Sequence, residues 1–395
     1  MNICITLHDM EPQYMCGIKR VLSILTNEWI GKCNITIVSV SPQGTKYNYF
    51  GDVKQYILPN NVNLISEENH KYFCEIVKHE YINIILNPYA HIKELTQLCI
   101  DIKNREGIKF ITALHFSITH DVDILNSYFF NKYRVENKPV AWIKECFLFL
   151  KYHLYTKQKI KSYNFNYYNQ LIEDSDKLVL LSDSLIHDLE VATKRKSIKN
   201  VIAINNPMAN TIENATTEKG KKILWCGRLE YNMKRTDRIL DIWKDFAPQH
   251  TDWELIIMGS GDVKHFETQA KNMNLTNITF TGSCNPDEYY KNGAILCMTS
   301  STEGWPMVLM EAMSNGCIPV AYNSFTSLKD IITNDVNGCL VSPFNKKEYI
   351  KKVEKLISDD KYAHKLRVNA IETIKKFNKV VIAQKWLDLF EEVTK

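Results

Sequence analysis

The sequence has no uninterrupted apolar run of about 18 or more residues, although 45% of its 395 residues are hydrophobic. A helix that spans a membrane is therefore not expected. The amino-terminal residues Met1 to Leu7 also lack the basic start, long apolar run and cleavage site of a secretory signal. We interpret them as the first buried strand of a protein that stays in the cytoplasm.

Closely spaced cysteine pairs are missing as well. None of the 11 cysteines has the two-residue spacing of a zinc knuckle or a redox motif, and several, such as Cys226 and Cys297, lie within apolar runs. Reduced core thiols are expected, and no metal site or cofactor is predicted. The formal net charge is only +4, which does not suggest nucleic acid as a partner but leaves room for a local basic patch.

Short apolar runs alternate with amphipathic ones along the whole chain, which is typical of parallel α/β sheets. At 395 residues the chain is long enough for two such domains. The predicted strands are Ile3–Leu7, Ile35–Val40, Ile82–Leu86, Lys109–Leu114, Lys177–Leu181, Lys222–Trp225, Trp253–Met258, Ile278–Thr281, Ala294–Met298 and Ile318–Ala321.

A polar stretch around Asn206-Pro207 separates the two sets of strands and has the composition of a hinge. We predict a first domain over residues 1–205, a hinge over 206–220 and a second domain over 221–377. Residues 378–395 have helical apolar spacing and are predicted to form a terminal helix that crosses back to the first domain.

Residues 121–168 interrupt the first domain with aromatic side chains, such as Phe147 and Tyr155, interleaved with lysines. One interpretation is a helical insertion packed on the first domain. The other is a surface that meets an anionic membrane or a lipid-linked acceptor, because basic and aromatic side chains suit that interface.

The segment from Ser300 to Met313 follows a predicted strand, and Pro306 favours the start of a helix there. A helix start at the carboxyl end of a parallel strand offers free amides to an anion. Glu303 lies in the loop and Glu311 lies in the helix, so they suit the binding of hydroxyl groups. The alternatives are a capping carboxylate for Glu303 and a solvated helix residue for Glu311.

Gly227 follows the first strand of the second half, with Arg228 next to it and Lys234 six positions further on. Two cations on one loop could bind a single phosphate group. Solvated loop charges are the alternative interpretation.

Together these segments resemble the family 4 glycosyltransferases of the GT-B fold. The resemblance rests on Gly227-Arg228 with Lys234, Met258-Gly259-Ser260-Gly261, Phe280-Thr281-Gly282, the pair Glu303 and Glu311 with seven residues between them, and Asn337-Gly338 followed by Leu340-Val341. It covers about residues 221–345 and is much weaker before residue 200. The fold it implies is two doubly wound Rossmann-like α/β domains that face each other across a cleft.

The resemblance also implies roles for matched residues. Arg228 and Lys234 would hold the donor diphosphate, and Glu311 would accept hydrogen bonds from the ribose. Glu303 would hold the transferred sugar together with the backbone of Gly304, Trp305, Pro306 and Met307, and Gly282, Ser283 and Cys284 would touch the base. Such enzymes retain the anomeric configuration and need no metal.

In the first half, Gly17 matches one of two glycines that the family often has near its donor or acceptor, whereas Cys16 departs from the other. His115, at the end of a predicted strand, resembles the family histidine that faces the reacting sugar. An ordinary structural histidine is the alternative.

The function that this resemblance implies is transfer of a sugar, with UDP as the favoured nucleotide, to a glycan or lipid-linked acceptor in bacterial surface polysaccharide or lipopolysaccharide synthesis. The expected catalytic residues are His115, Arg228, Lys234 and Glu303. The expected location is the cytoplasm, with the inner membrane surface as a further partner. The alternatives are a non-catalytic nucleotide-sugar-binding partner of a transferase and another GT-B enzyme such as a sugar-nucleotide epimerase.

Overall fold

The computed structural model describes residues 1–8, 17–40, 50, 53–123, 139–208 and 218–395. The described residues form two compact units, each with its own parallel sheet. The first unit takes in residues from 1–118, 163–209 and 377–395, and the second takes in residues from 119–162 and 210–376. The predicted hinge, 206–220, lies largely outside the described residues.

All strand pairings within the two sheets are parallel. The strands are β1 Asn2–Leu7, β2 Asn34–Ser39, β3 Lys54–Ile57, β4 Ile84–Asn87, β5 Lys109–Leu114, β6 Lys177–Leu180, β7 Val201–Ala203, β8 Lys222–Cys226, β9 Glu254–Met258, β10 Ile278–Gly282, β11 Ile295–Met298, β12 Ile318–Tyr322 and β13 Cys339–Val341. The ten predicted strands are confirmed to within two residues at each end. The short strands β3, β7 and β13 were not predicted.

Helices connect most of these strands. They are α1 Gly17–Trp29, α2 Glu67–His79, α3 Lys93–Glu106, α4 Pro139–Lys151, α5 Lys157–Asp174, α6 Asp183–Thr193, α7 Thr236–Phe246, α8 Val263–Asn272, α9 Asp287–Asn292, α10 Met307–Ser314, α11 Leu328–Ile331, α12 Lys346–Ser358, α13 Asp360–Ile374 and α14 Lys379–Thr394. A π-helical turn, Tyr152–Thr156, joins α4 to α5. Within the described ranges, no helix is both long enough and apolar enough to cross a bilayer.

The sheet of the first unit has the order β3-β2-β1-β4-β5-β6-β7. Its central strands are almost wholly buried, because helices cover both faces of a parallel sheet. Local signals set the helix ends in the usual way. For example, the Ser182 side chain accepts a hydrogen bond from Leu185 N and caps α6.

Helix α14 belongs to the first unit, where it packs on α1. The Trp29 ring lies 6.2 Å from the Trp386 ring and 5.3 Å from the Phe390 ring, and its Nε1 donates to Ala383 O at 3.2 Å. The expected return of the terminal helix to the first domain is thus confirmed.

The sheet of the second unit has the order β10-β9-β8-β11-β12-β13. The chain therefore moves outward from β8 to β10 and then returns to lay β11 on the other side of β8. Such a reversal opens a crevice at the carboxyl ends of the two central strands, where ligands bind in open α/β sheets. In this unit the crevice lies between the end of β8 at Cys226 and the end of β11 at Met298.

The segment 121–168 requires a correction. One of the two interpretations was an insertion packed on the first domain. The residues that the structure describes between Thr119 and Ser162 group instead with the second unit, whereas residues 163–168 group with the first. One contact that accounts for this grouping is the hydrogen bond from Thr302 Oγ1 to Asp123 Oδ2 at 3.5 Å. Tyr152 OH, which donates to Val122 O at 3.2 Å, ties the helical part of the segment to the same stretch.

Candidate donor site

Three glycine-containing loops meet at the carboxyl end of β8. Gly227 N donates to Met258 O at 3.0 Å, Leu229 N donates to Ser260 O at 2.8 Å, and Gly259 N donates to Gly282 O at 2.9 Å. Gly259 has φ +138°, and a Cβ added to it would lie 1.9 Å from Gly227 O. The loops pass each other so closely that a side chain cannot fit at this crossing, which leaves backbone exposed to a ligand.

Lys234 lies beside this crossing. Its side chain passes Gly227, where an added Cβ would meet Lys234 Cδ at 3.4 Å. The Lys234 backbone carbonyl accepts a hydrogen bond from Thr299 Oγ1 at 3.0 Å, and the Lys234 Nζ lies 2.5 Å from Glu303 Oε1. The interpretation of Lys234 as a solvated loop charge is therefore wrong.

Glu303 is nearly buried, with 9% of its side chain exposed. Its Oε1 also accepts a hydrogen bond from Ser300 Oγ at 2.8 Å. Helix α10 begins at Met307, and Pro306 at its N-cap makes no side-chain cap bond, so the capping interpretation of Glu303 is wrong. The carboxylate instead links the end of β11 to the loop after β8.

The whole loop from Thr299 to Pro306 is buried, and Met307 is half-buried. Arg238 supports the loop from behind: its Nη1 donates to Thr299 O and to Ser301 Oγ, both at 3.2 Å. The Arg238 guanidinium lies 3.4 Å from the centre of the Phe344 ring, which holds it in place. Further along the loop, Trp305 Nε1 donates to Met310 Sδ at 3.1 Å. The loop is thus fixed before any ligand arrives.

Glu311 lies in the second turn of α10 and is only 3% exposed, so the solvated interpretation is wrong. It faces the end of β8. Burial and the nearby Glu311 carboxylate raise the pKa of the Cys226 thiol to about 11, against the opposite effect of Lys234. Burial followed by the nearby Cys226 and Glu311 also raises the pKa of Tyr290. Glu311, Lys234 and Cys226 therefore share one electrostatic environment.

Two parts of the predicted site are open to solvent. Arg228 is exposed, and its Cγ lies 3.2 Å from the position of a Cβ added to Gly261. Ser283 and Cys284 are exposed beyond Gly282, which has φ +66°. The Cys284 Sγ is 3.2 Å from Thr281 Oγ1.

The first unit contains the other two predicted residues. Gly17 begins α1, and a Cβ added to it would meet no atom within 4 Å, whereas Cys16 lies outside the described residues. Burial, followed by the charge of His91, lowers the pKa of His115 to about 4. At neutral pH His115 is therefore uncharged and can both donate and accept hydrogen bonds.

Sequence reasoning missed three polar residues of the second unit. Thr299 accepts from Trp225 Nε1 at 2.9 Å and bonds to the Lys234 carbonyl, while Ser300 bonds to Glu303. His120 lies near Glu303, which opposes the lowering of its pKa by burial. Thr299 and Ser300 could have been predicted as site residues, because they directly follow a buried strand. For His120 the sequence offers only its position five residues after His115.

A family model described as glycosyl transferases group 1 matches residues 209–373. The matched stretch of this chain is thus similar to the glycosyl transferases group 1. The family resemblance drawn from the motifs is confirmed, and the Lys234, Glu303 and Glu311 positions all fall within the group 1 region.

Curated relatives match about half of this chain. The amylovoran biosynthesis glycosyltransferase AmsD of Erwinia amylovora is 28% identical over 54% of this chain and 62% of the relative. An α-1,4-N-acetyl-D-galactosaminyltransferase of Campylobacter jejuni, named for a PP-undecaprenol-linked glycan, is 26% identical over 50% of this chain and 56% of the relative. The chain thus spans less than two thirds of the length of these relatives.

The structural match extends further than the sequence match. The solved structure of Anabaena Alr3699/HepE in complex with UDP is 14% identical, with a TM-score of 0.75 over 99% of this chain and 100% of that chain. The predicted GT-B class, with two Rossmann-like parallel sheets, is confirmed by this match and by the two sheets described above.

Proposed function

We propose that the protein is a retaining, metal-independent glycosyltransferase. It takes a sugar from a nucleoside diphosphate, with UDP favoured, and delivers it to a glycan or lipid-linked acceptor in bacterial surface polysaccharide or lipopolysaccharide synthesis. The observation that carries the proposal is the Lys234–Glu303 pair at the reversal point of the second sheet. A cation and a carboxylate held together there suit a ligand with a phosphate at one end and sugar hydroxyls at the other.

In this proposal Lys234 and Arg228 bind the donor diphosphate. Both have basic side chains that donate hydrogen bonds, and both lie on the loop that follows β8. As the sugar leaves, negative charge grows on the diphosphate, and hydrogen bonds from these cations strengthen. The amides at the start of α10 add to this stabilisation, so that the chain's own groups do what a metal does in other transferases.

Glu303 and Glu311 bind hydroxyl groups of the donor in this proposal. A carboxylate that is buried and ionised can accept two or more hydrogen bonds in fixed directions. Glu303 would exchange part of its contact with Lys234 for hydroxyls of the sugar, and Glu311 would accept from the ribose. The exposed residues Ser283 and Cys284 would contact the base.

The choice of nucleotide and acceptor is supported by the relatives. UDP is bound in the similar HepE structure, and the two curated relatives are named for amylovoran synthesis and for an undecaprenol-linked glycan. We place the reaction in the cytoplasm, because the described cysteines are all free thiols, as expected in a reducing compartment.

Isothermal titration calorimetry with UDP, GDP, ADP and CMP, each with and without magnesium, tests the donor site. We expect UDP to bind equally well in EDTA. Lys234→Met keeps the apolar stem but loses the charge, and should weaken binding by about 10-fold to 150-fold, because a charge-assisted hydrogen bond contributes about 1.5–3 kcal/mol. Lys221→Met is the matched control, since Lys221 lies at the opposite end of β8 and its side chain is 63% exposed.

Turnover separates the proposal from its alternatives. We expect slow release of UDP from one UDP-sugar in the absence of acceptor, and a loss of about 100-fold or more in Lys234→Met. Tight UDP binding without any turnover, even with acceptor lipids from bacterial membranes, would indicate a non-catalytic nucleotide-sugar-binding partner. Conversion of one UDP-sugar into its epimer would indicate an epimerase.

A further inference from the structure

The helical segment Ile143–Thr156 in the second unit has an apolar face that no described residue covers. Ile143, Phe147, Leu150 and Leu154 are 53%, 71%, 55% and 74% exposed, respectively. Their spacing of four, three and four residues aligns them along one side of the helix, and we call them the apolar stripe. Four large apolar side chains in one exposed row are uncommon on a protein surface and mark an interaction site.

The opposite side of the helix is the side that packs on the protein. Tyr152 is 3% exposed, and its OH donates to Val122 O at 3.2 Å. The apolar stripe is therefore not the side of the helix that packs on the protein core, because Tyr152 on the opposite side makes that contact. Exposed Leu148 and Tyr155, which are 41% and 57% exposed, widen the apolar surface on one flank.

The charge around the apolar stripe is predominantly positive. From Cys146 to Ile172 the chain has no aspartate or glutamate. Residues 143–162 contain one acid, Glu145, and five lysines, which leaves a net charge of +4, equal to that of the whole chain. The lysines are Lys144, Lys151, Lys157, Lys159 and Lys161, and no ion pair found in the described ranges involves them.

Lys144 and Lys151 lie along the same flank as Leu148 and Tyr155, one residue after members of the apolar stripe. Lys159 Nζ lies 4.4 Å from the centre of the Tyr155 ring. Long lysine side chains in this position can extend their ammonium groups away from an apolar boundary toward phosphates. An aromatic ring with a cation above it is suited to the same boundary.

We propose that the apolar stripe and its lysines bind the surface of a bilayer that contains anionic phospholipid. The apolar side chains enter the boundary between headgroups and acyl chains, and the lysines contact lipid phosphates. A protein partner fits less well, because the cores of protein interfaces are depleted in lysine. A second copy of the chain would bring two surfaces of charge +4 together. The proposal does not depend on the donor site.

Flotation of the full chain with vesicles tests the proposal. We expect binding to phosphatidylcholine vesicles with about 30% phosphatidylglycerol, little binding to pure phosphatidylcholine, and a loss of binding as salt is raised to about 0.5 M. The variant Phe147→Ser/Leu150→Ser/Leu154→Ser should bind at least about 10-fold more weakly, since each apolar side chain contributes to partition. The matched control is Val62→Ser/Val191→Ser/Val381→Ser, whose valines are 89%, 66% and 48% exposed elsewhere.

Each other outcome overturns the proposal. The wild-type protein could fail to float, float equally well on neutral vesicles, or float no better than the triple variant. Any of these results would show that the apolar stripe does not bind anionic lipid specifically. A wild-type dimer that the triple variant converts to a monomer, without vesicle binding by either, would assign the stripe to self-association. UDP binding and the melting temperature of the triple variant should equal those of wild type, which shows that any loss of flotation does not come from unfolding.

Discussion

Gly259 has the least room of any residue at the candidate donor site. Its φ of +138° and the 1.9 Å distance from an added Cβ to Gly227 O mean that alanine would force the loops after β8 and β9 apart. We expect Gly259→Ala to destabilise the protein by about 3 kcal/mol or more, because backbone strain and a direct clash combine. Thermal or urea unfolding measures this loss.

Gly17→Ala is the control for this prediction. Gly17 lies at the start of α1, has no neighbour within 4 Å of an added Cβ and lacks a positive φ. Its replacement should leave stability unchanged or slightly higher, since alanine favours a helix. Equal stability of both variants would contradict the prediction, because it would show that the loops after β8 and β9 can move apart at little cost in free energy.

The charged residues of the site were predictable as single positions but not as a pair. Lys234 and Glu303 each follow a strand and match a family motif, yet they are 69 residues apart in the chain. Their contact depends on the strand order, in which β11 lies next to β8. Local sequence patterns do not predict strand order. For the same reason the supporting bonds of Thr299 and Arg238 could not be foreseen.

At the scale of elements, α14 provides a clear test of packing in the first unit. Trp386 is 5% exposed, and its ring packs edge-on against Trp29 and at a tilt against Phe390. Trp386→Ala should destabilise the protein by about 3–5 kcal/mol, as expected for a large aromatic removed from a core. Val380→Ala on the same helix, where Val380 is 51% exposed, should change stability by less than about 0.5 kcal/mol.

If Trp386→Ala unfolded at the same denaturant concentration as Val380→Ala, the packing of α14 on α1 would contribute nothing to stability. The measurement is chemical unfolding followed by circular dichroism. Tryptophan fluorescence is less suitable, because the substitution removes one of the seven tryptophans that give the signal.

Strands in the middle of each sheet were predictable because they are buried on both faces and appear as continuous apolar runs. The strands that were missed, β3, β7 and β13, are all at sheet edges and are only three or four residues long. In β3, for example, Lys54-Gln55-Tyr56-Ile57 has no buried residue. The composition of β3 therefore does not distinguish it from a loop.

For the whole molecule, burial of the thiols predicts slow chemistry at most cysteines. Burial raises the pKa of Cys99, Cys297 and Cys317 to about 12, so these thiols stay protonated at pH 8, and the thiolate is the reactive form. Ellman's reagent should titrate all 11 cysteines in guanidinium chloride but leave the buried ones unreacted in the native protein. Rapid reaction of every thiol in the native state would contradict the compact cores.

The composition of the second unit could not be predicted from the linear pattern. This unit takes in described residues between Thr119 and Ser162 in addition to the later part of the chain, whereas the return of the terminal helix to the first unit was predicted. Linear patterns assign neighbours in sequence to the same domain, whereas contacts such as Thr302 with Asp123 span 179 residues. The number of domains was predictable, because it follows from the length of the chain and the number of strands and does not depend on long-range contacts.

Cys284 is the one exposed thiol among the described cysteines, and it lies next to Gly282 and Ser283 on the loop after β10. Among the described cysteines, a maleimide fluorophore would therefore attach mainly at this position, without any engineered cysteine. Emission from the dye would then change as a nucleotide approached the loop, and competition between unlabelled nucleotides could be followed in a plate reader. The dye-labelled protein could thus be used to identify the nucleotide of the donor by fluorescence.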